Sequence, residues 1–342
     1  MMRKKSREAL PRVQTMQDVC SELGVSTATI SRVVNNKPGV GPALRKKVLA
    51  AVRELNYFPR AAGRNLARAK SDTLGVAFQD LTAGWLLTIF RGVVSRAAGQ
   101  YHVITSVSAR EGDEIEVPHR LLAEGRVDGL IWLDPRITPQ LIRQMKSQSV
   151  PFVVLQRQIT DPEINTIAID SAHGAHEVVA HLLKAGYRKL LFLTGPHNDA
   201  DSQRKLAGAR QALQEFNVEL PAHNVLEGHH VGAHAVSAIT EYVAKGHPLP
   251  EAIFAFNDAM AIAVLHWLQG RGVRVPQDVA VAGYDGIEES AYAGLTTFQT
   301  PMYEMGVLAT QTLMDLISLA PSERKGKQLT LKGNLVIRET CK

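Results

Sequence analysis

Cysteine is almost missing from this chain: Cys20 and Cys341 are the two among 342 residues. They supply neither a disulfide framework nor a four-thiolate metal site. Cys20 falls in a helix-patterned stretch and reads as a small core side chain. Long apolar runs are missing too, and none reaches the roughly 18 residues of a membrane-spanning helix. The first residues are charged without a following apolar stretch. They do not read as a secretory signal, so a cytoplasmic protein with no membrane partner is expected. There is no G-x-G-x-x-G after a strand pattern, no P-loop and no G-x-S-x-G. One apparent zinc motif fails on geometry. In His176-Glu177-Val178-Val179-Ala180-His181 the second histidine stands at i+5, about 140° around a helix from the first. Ala180 occupies the i+4 position that a shared zinc needs. His230 and His234 have i+4 spacing but no further ligands in the pattern. Catalysis, a cofactor and a bound metal are therefore not expected.

Charge is present but unevenly spread. Residues 1–70 carry 15 Lys and Arg against 4 Asp and Glu, whereas the rest carries 24 against 29. A basic head on a mildly acidic body is an electrostatic footprint for nucleic acid. A solvated tail over residues 1–14, expected to be disordered, accounts for Arg3, Lys4, Lys5 and Arg7. It does not account for the cations inside the helical patterns that follow.

Residues 15–36, TMQDVCSELGVSTATISRVVNN, read as two short helices around a tight turn. Thr15 and Asp18 have the spacing of a reciprocal N-terminal cap. Met16, Val19 and Leu23 share one face. Gly24 suits the left-handed residue that ends a helix. Ser26 starts the second helix, whose buried stripe is Ile30, Val33 and Val34. Thr27, Ala28, Thr29, Ser31 and Arg32 are then left on or near its outer surface. They are small side chains plus one long cation, which suits a helix lying in the major groove of DNA. Pro42 opens a third helix through Leu44, Val48, Ala51, Val52 and Leu55 to Asn56, and Pro59 ends it. Tyr57 and Phe58 should pack that helix on the other two.

The run Asp18-Val19…Gly24-Val25-Ser26-Thr27-Ala28-Thr29-Ile30-Ser31-Arg32-Val33-Val34-Asn35 closely resembles the DNA-binding domain of the LacI family of bacterial repressors. The resemblance implies a helix-turn-helix domain over 15–59 that contacts double-stranded operator DNA through Thr15, Ser26, Thr27, Ala28, Thr29, Ser31, Arg32 and Asn35. It implies that residues 60–71 are a hinge that folds on DNA. There Leu66 would wedge into the minor groove between base steps, with Arg60 and Arg64 beside it. Gly63 departs from the family's usual Ala and disfavours the hinge helix by about 1 kcal/mol. Read from composition alone, this segment is a plain basic tether.

From Thr73 onward short apolar strands alternate with helices, the pattern of parallel, doubly wound sheets. The order repeats over roughly 72–168 and 169–297. The expected fold class is thus an N-terminal all-α helix-turn-helix domain plus an α/β core of two doubly wound parallel-sheet subdomains. The resemblance makes that core similar to type I periplasmic binding proteins, with three chain crossings between subdomains. The expected boundaries are 72–168 with 298–325 for the first subdomain and 169–297 with 326–342 for the second. Residues 329–338 are placed wholly in the second. The chain has no C-terminal heptads of the kind that form the family's tetramer zipper.

Two such sheets would hold a ligand at their strand ends. The residues singled out there are Asp80, Trp85, Leu86, Asp170, Arg204, His230, Asn257 and Asp285, with Gln79 and Asp258 beside them. Trp85 and Leu86 stand where the family carries two aromatics that touch ligand, and only Trp85 matches. Arg204 matches the family's arginine that grips ligand oxygens in a fork. His230 replaces an aromatic. Each also has a plainer reading: Trp85 as core, Arg204 as a surface ion pair, Asp258 as a helix cap. Together they favour a small polyhydroxylated ligand. The resemblance implies a homodimeric repressor that reads a near-palindromic operator and whose DNA affinity is set by a sugar or sugar derivative. A ligand-carrying transport component and a cleft enzyme are the rival readings. The basic head argues against the first and the missing nucleophile and base against the second.

Overall fold

The structure, a computed structural model, describes residues 15–341 apart from 35, 56, 58–69, 80–83, 109, 111–112, 135, 148–149, 158 and 160. The chain divides into two compact units between Ser71 and Asp72. The first holds α1 (Met16–Leu23), α2 (Thr27–Val34) and α3 (Pro42–Glu54). Thr15 caps α1 reciprocally with Asp18: the Asp18 N–H reaches Thr15 Oγ1 at 3.3 Å and the Thr15 N–H reaches Asp18 Oδ2 at 2.6 Å. Gly24 ends α1 at φ +62°, a conformation that costs glycine nothing. Val19, Ile30, Val33, Val48, Ala51 and Tyr57 are buried at the centre, with Met16, Cys20, Leu23, Val25 and Leu44 packed around them. Phe58 lies outside the described residues. Each fully buried aliphatic contributes roughly 1.5–3 kcal/mol, so a core this small depends on every one.

The second unit contains two six-stranded sheets. The first has the order β11-β5-β4-β3-β1-β2, built from β1 (Thr73–Phe78), β2 (His102–Val107), β3 (Gly129–Leu133), β4 (Phe152–Leu155), β5 (Asn165–Ile169) and β11 (Gln328–Leu331). The second has the order β12-β10-β9-β8-β6-β7, from β6 (Leu190–Thr194), β7 (Val225–Glu227), β8 (Ala252–Ala255), β9 (Ala280–Asp285), β10 (Thr296–Gln299) and β12 (Asn334–Val336). All pairings are parallel except β10 with β12. Strands β3, β4, β5, β6 and β8 are buried at every residue, as parallel strands covered on both faces must be. In the first sheet successive residues serve opposite layers. Ile131, Leu133, Val153 and Leu155 join one core, while Leu130, Trp132, Phe152 and Val154 join the other.

Helices α4 (Gly84–Ala97) and α12 (Met302–Ser318) cover the first of those layers. They cross closely: a Cβ on Gly92 would lie 2.2 Å from the Tyr303 carbonyl, and one on Gly306 2.1 Å from that of Ile89. Helices α5 (Asp113–Ala123) and α6 (Pro139–Lys146) supply residues to the opposite layer. The second sheet packs against α7 (Ser171–Lys184), α8 (Ala200–Glu215), α9 (Gly232–Ala244) and α10 (Asp258–Gln269), with the short α11 (Glu288–Tyr292) after β9.

The chain passes between the sheets three times: from β5 into α7, from β10 into α12, and from β11 to β12. The last crossing corrects the expected boundary. Residues 328–331 pair with β5 in the first sheet, where the Thr166 N–H donates to the Lys327 carbonyl and the Asp170 N–H to that of Leu331. Only 334–336 join the second. The alternation Leu329, Leu331, Leu335, Ile337 keeps its phase across the crossing and is interrupted only by Gly333, so periodicity alone did not show that the two halves belong to different sheets. Similarly, the second sheet keeps its hold through Gln299 rather than 297.

Candidate DNA-reading surface and ligand cleft

Helix α2 begins at Ser26, whose Oγ accepts the Thr29 N–H at 3.2 Å and lies 3.0 Å from Thr29 Oγ1. Its buried side is Ile30 and Val33. Ser26, Thr27, Ala28 and Arg32 are exposed, and Thr29 and Ser31 half-buried. The far end of the helix is tied down from α3. The Arg45 guanidinium donates to Asn36 Oδ1 at 2.9 Å, to the Val33 carbonyl at 3.4 Å and to the Lys37 carbonyl at 2.5 Å. A cation there satisfies carbonyls that the helix end leaves open. The result is a short, rigid helix showing small polar side chains and one long cation. Thr15 spends its hydroxyl on Asp18 Oδ2 at 2.7 Å, so its described part is the cap of α1. Asn35, Arg60, Arg64 and Leu66 lie outside the described residues.

In the second unit, polar side chains gather at the C-terminal ends of the strands. After β6, Asp199 caps α8 by accepting the Ser202 N–H at 2.8 Å. His230, held at φ +63° after β7, places Nε2 3.3 Å from Asp199 Oδ2 and 3.4 Å from Ser202 Oγ. Gly195 must lack a side chain for this, because a Cβ would come within 2.1 Å of His230 Nε2. Burial opposes the Asp199 charge, but His230 and Ser202 outweigh it and hold the carboxyl well below the usual range.

Beside this pair, Lys205 is 4% exposed. Its Nζ donates to the Phe256 carbonyl at 3.0 Å, pairs with Asp201 Oδ2 at 3.0 Å and sits 4.0 Å from the centre of the Tyr284 ring. Asp201 Oδ1 accepts from Ser171 at 2.5 Å and from Arg204 Nη2 at 3.1 Å. Arg204 keeps its Nε buried and without a hydrogen-bond partner. Asp285 stands at φ +111° at the end of β9. Burial pushes its carboxyl well above the usual range; Lys205 pulls it down, and the charges of Asp258 and Asp201 push it further up. Strained positive-φ residues at three strand ends, Gln156 at +58°, His230 and Asp285, mark a place where backbone comfort is given up to aim side chains.

Both units of the chain have known relatives. Residues 15–60 match the bacterial regulatory proteins of the lacI family, and residues 179–341 match a periplasmic binding protein-like domain. Catabolite control protein A of Priestia megaterium is 32% identical over 307 residues, 87% of this chain and 91% of that protein. The HTH-type transcriptional repressor PurR of Vibrio vulnificus is 31% identical over 336 residues, 96% and 98% of the two chains. The chain belongs to the lacI family of bacterial regulatory proteins. It is a DNA-binding regulator of transcription. Among solved structures, the lac repressor dimer bound to operator and the anti-inducer ONPF superposes with a TM-score of 0.84 at 30% identity, covering 96% of this chain and 99% of that one.

Set against the lacI-family expectations, the cleft residues divide. Trp85, Asp170, Arg204, His230, Asn257 and Asp285 all lie at strand ends or in the first turn or two of the following helix, and each is half-buried. Leu86 is corrected: it is 5% exposed and belongs to the core under α4, in line with Ile89, Val93 and Ala97. The helical period that begins at Leu86 points it inward. Asn257 spends its carbonyl oxygen on the Met260 N–H at 2.8 Å and an amide hydrogen on the His230 carbonyl at 3.0 Å. Asp170 caps α7 through the His173 N–H at 3.1 Å. Asp80 lies outside the described residues. His176 pairs with Glu215 at 2.8 Å, away from any zinc geometry with His181.

Arg157 was missed. It stands two residues after the end of β4, half-buried, and donates from Nη2 to the Ile137 carbonyl at 2.9 Å. A charged residue two positions after the all-apolar strand 152–155 was the available signal, because parallel strands end at ligand sites.

Proposed function

We propose that the chain is a transcriptional repressor that binds a near-palindromic operator as a homodimer and whose grip on DNA is set by a small effector, a sugar or sugar derivative, in the cleft between the two sheets. Ser26, Thr27, Ala28, Thr29, Ser31 and Arg32 read base edges in the major groove. Thr15 and Asn35 contact the backbone beside them. Arg60 and Arg64 hold phosphates in the hinge while Leu66 enters the minor groove. The protein works in the cytoplasm, and its cleft binds without catalysing.

The observation that carries the effector reading is the Arg204 guanidinium, bonded to Asp201 and with its Nε buried and unpartnered. A buried donor without a partner costs about 1–3 kcal/mol, and a ligand oxygen would remove that cost. Dimerisation has two supports. The similar lac repressor was solved as a dimer on its operator. Helix α4 also exposes Leu87 and Val94, seven residues apart, at 66% and 44%, next to the 41% exposed Tyr303 of α12. Such a stripe suits an isologous contact. Differential affinity of the effector for open and closed arrangements of the cleft would couple the two sites.

Gel-shift titration on genomic fragments around the chain's own gene tests the reading. Saturable binding to a near-palindromic fragment, altered by a cleft ligand, is expected. Equal affinity for random DNA would overturn it.

A further inference from the structure

Two arginines at the strand ends keep hydrogen-bond donors unspent. Two guanidiniums enter from opposite sheets: Arg157 after β4 of the first and Arg204 early in α8 against the second. Each has five N–H donors in a planar fork. Arg157 spends one on the Ile137 carbonyl, and Arg204 spends one on Asp201. The side chains are held by those single bonds rather than neutralised by them.

The nearby carboxyl groups are already committed. Asp134 receives Arg136 through both oxygens, at 2.9 and 2.7 Å, and Glu114 stands 3.4 Å from the same guanidinium. Asp199 takes His230 and the Ser202 N–H. Asp201 serves Lys205 and Ser171 as well as Arg204. Burial pushes the Asp285 carboxyl well above the usual carboxylate range; Lys205 pulls it down, and the charges of Asp258 and Asp201 push it further up. Arg157 feels the lack of an anion directly. Burial lowers its pKa first and the charge of Arg204 lowers it further, against the opposing pull of Asp199 and Asp134. Two like charges within electrostatic reach, both partly desolvated, with free fork donors, describe a clamp waiting for a negatively charged oxygen group.

We propose that the effector is a polyhydroxylated anion, its carboxylate or phosphate gripped between Arg157 of the first sheet's subdomain and Arg204 of the second's. This rests on the cleft being the effector site and narrows the sugar reading to its charged derivatives. The hydroxyls would face Asp285 and His230. Because the two arginines belong to different sheets, the anion stabilises the arrangement in which they approach each other.

The test is a thermal-shift and calorimetric titration of the full chain with gluconate, glucuronate, glucose 6-phosphate, ribose 5-phosphate and orthophosphate, each beside neutral glucose and ribose. The same titrations are run on Arg157→Gln and Arg157→Lys, whose ligand-free melting confirms folding. Orthophosphate at millimolar concentration should raise the melting temperature of the wild type more than that of Arg157→Gln. Comparison of the two chains cancels its general salting effect and any binding to the basic head. At least one sugar anion should bind at least about tenfold tighter to the wild type than to Arg157→Gln, with Arg157→Lys in between. Preference for sugar acids over sugar phosphates, or the reverse, identifies the anion. The proposal is overturned if no anion distinguishes wild type from Arg157→Gln. It is also overturned if a neutral sugar binds both equally while Arg204→Gln abolishes that binding, a result that leaves the cleft reading intact. An anion that depends on Arg157 but never alters operator affinity would instead sink the regulatory reading and leave the anion site standing.

Discussion

Thr297 on β10 donates its hydroxyl hydrogen to Oδ1 of Asp258 at the start of α10, at 2.6 Å, and both residues are fully buried. The other carboxyl oxygen of Asp258 accepts the N–H groups of Gly286 and Ile287 at 2.8 and 2.9 Å. The side chain therefore clamps the turn that carries Asp285 rather than facing a ligand itself.

That clamp has a pH signature. Burial raises the Asp258 pKa to about 6, against the three hydrogen bonds that favour the charge. A folded-state pKa above the unfolded value means that folding favours the protonated form. Its contribution is complete below about pH 4 and is lost as pH rises through about 6. Asp258→Asn can keep all three bonds, with its oxygen accepting from Gly286 and Ile287 and its amide donating to Thr297. Urea unfolding of both chains should show the wild type losing about 2–3 kcal/mol relative to the variant between pH 4 and pH 8. A difference that stays flat with pH would sink the assignment.

A second prediction concerns the crossing of α4 and α12. A Cβ on Gly306 would stand 2.1 Å from the Ile89 carbonyl and 3.0 Å from the Val93 nitrogen, both backbone atoms. No side-chain rotation relieves such a clash, so the helices must part. Gly306→Ala should destabilise the second unit by about 1–3 kcal/mol, read as a lower urea midpoint at unchanged slope. Helix propensity alone predicts the opposite sign, a gain of up to about 1 kcal/mol. A stabilised variant would show that the crossing tolerates separation.

The local chemistry of the head was legible because each signal acts within a few residues. Thr15 with Asp18, Gly24 after Leu23 and Pro42 at the start of α3 determine caps and turns without help from distant chain. The alternating strands and helices of the second unit were legible for the same reason. What escaped notice depends on three-dimensional partners. Leu331 and Leu335 keep the same alternating phase on either side of Gly333, and only pairing with β5 before it and with β10 after it decides that the chain changes sheet between them. Leu86 was assigned by position in the family pattern, whereas its neighbours' spacing turns it into the core. Arg157 gained its meaning from Arg204, 47 positions on, which no local pattern reports.

Arg32 should contact a guanine edge. It is exposed on α2, beyond a row of small residues that lets the helix backbone approach the bases. Arg32→Ala should cost roughly 1–3 kcal/mol at one base-pair position and spare binding to random DNA. Exchanging Thr27 and Ala28 for bulkier polar residues should change the preferred half-site in a selection from random sequences. An Arg32→Ala chain that loses equal affinity for operator and random DNA would make the residue a phosphate contact. Its salt slope would then fall by about one.

Arg204 allows the coupling between cleft and operator to be tested by one substitution. Its guanidinium shares Asp201 with Lys205 and Ser171, so Arg204→Ala leaves Asp201 two partners and Lys205 its ion pair. The buried network beneath the cleft should therefore survive, and the variant should fold. What it loses is a fork of donors, among them the buried Nε that has no partner. A ligand that bridges Arg204 and Trp85 touches both subdomains and can shift the cleft only through its differential affinity for the closed state. Removing the arginine should abolish the ligand response of operator binding, while ligand-free operator affinity stays within about a factor of three, or roughly 0.6 kcal/mol. The measurement is a pair of operator titrations, with and without saturating ligand, on wild type and variant. A variant with a full ligand response removes Arg204 from the site. A folded, dimeric variant that fails to bind operator without ligand would show that ligand tightens DNA binding instead of releasing it, or that Arg204 holds the closed arrangement by itself. In either case release by simple induction would be excluded.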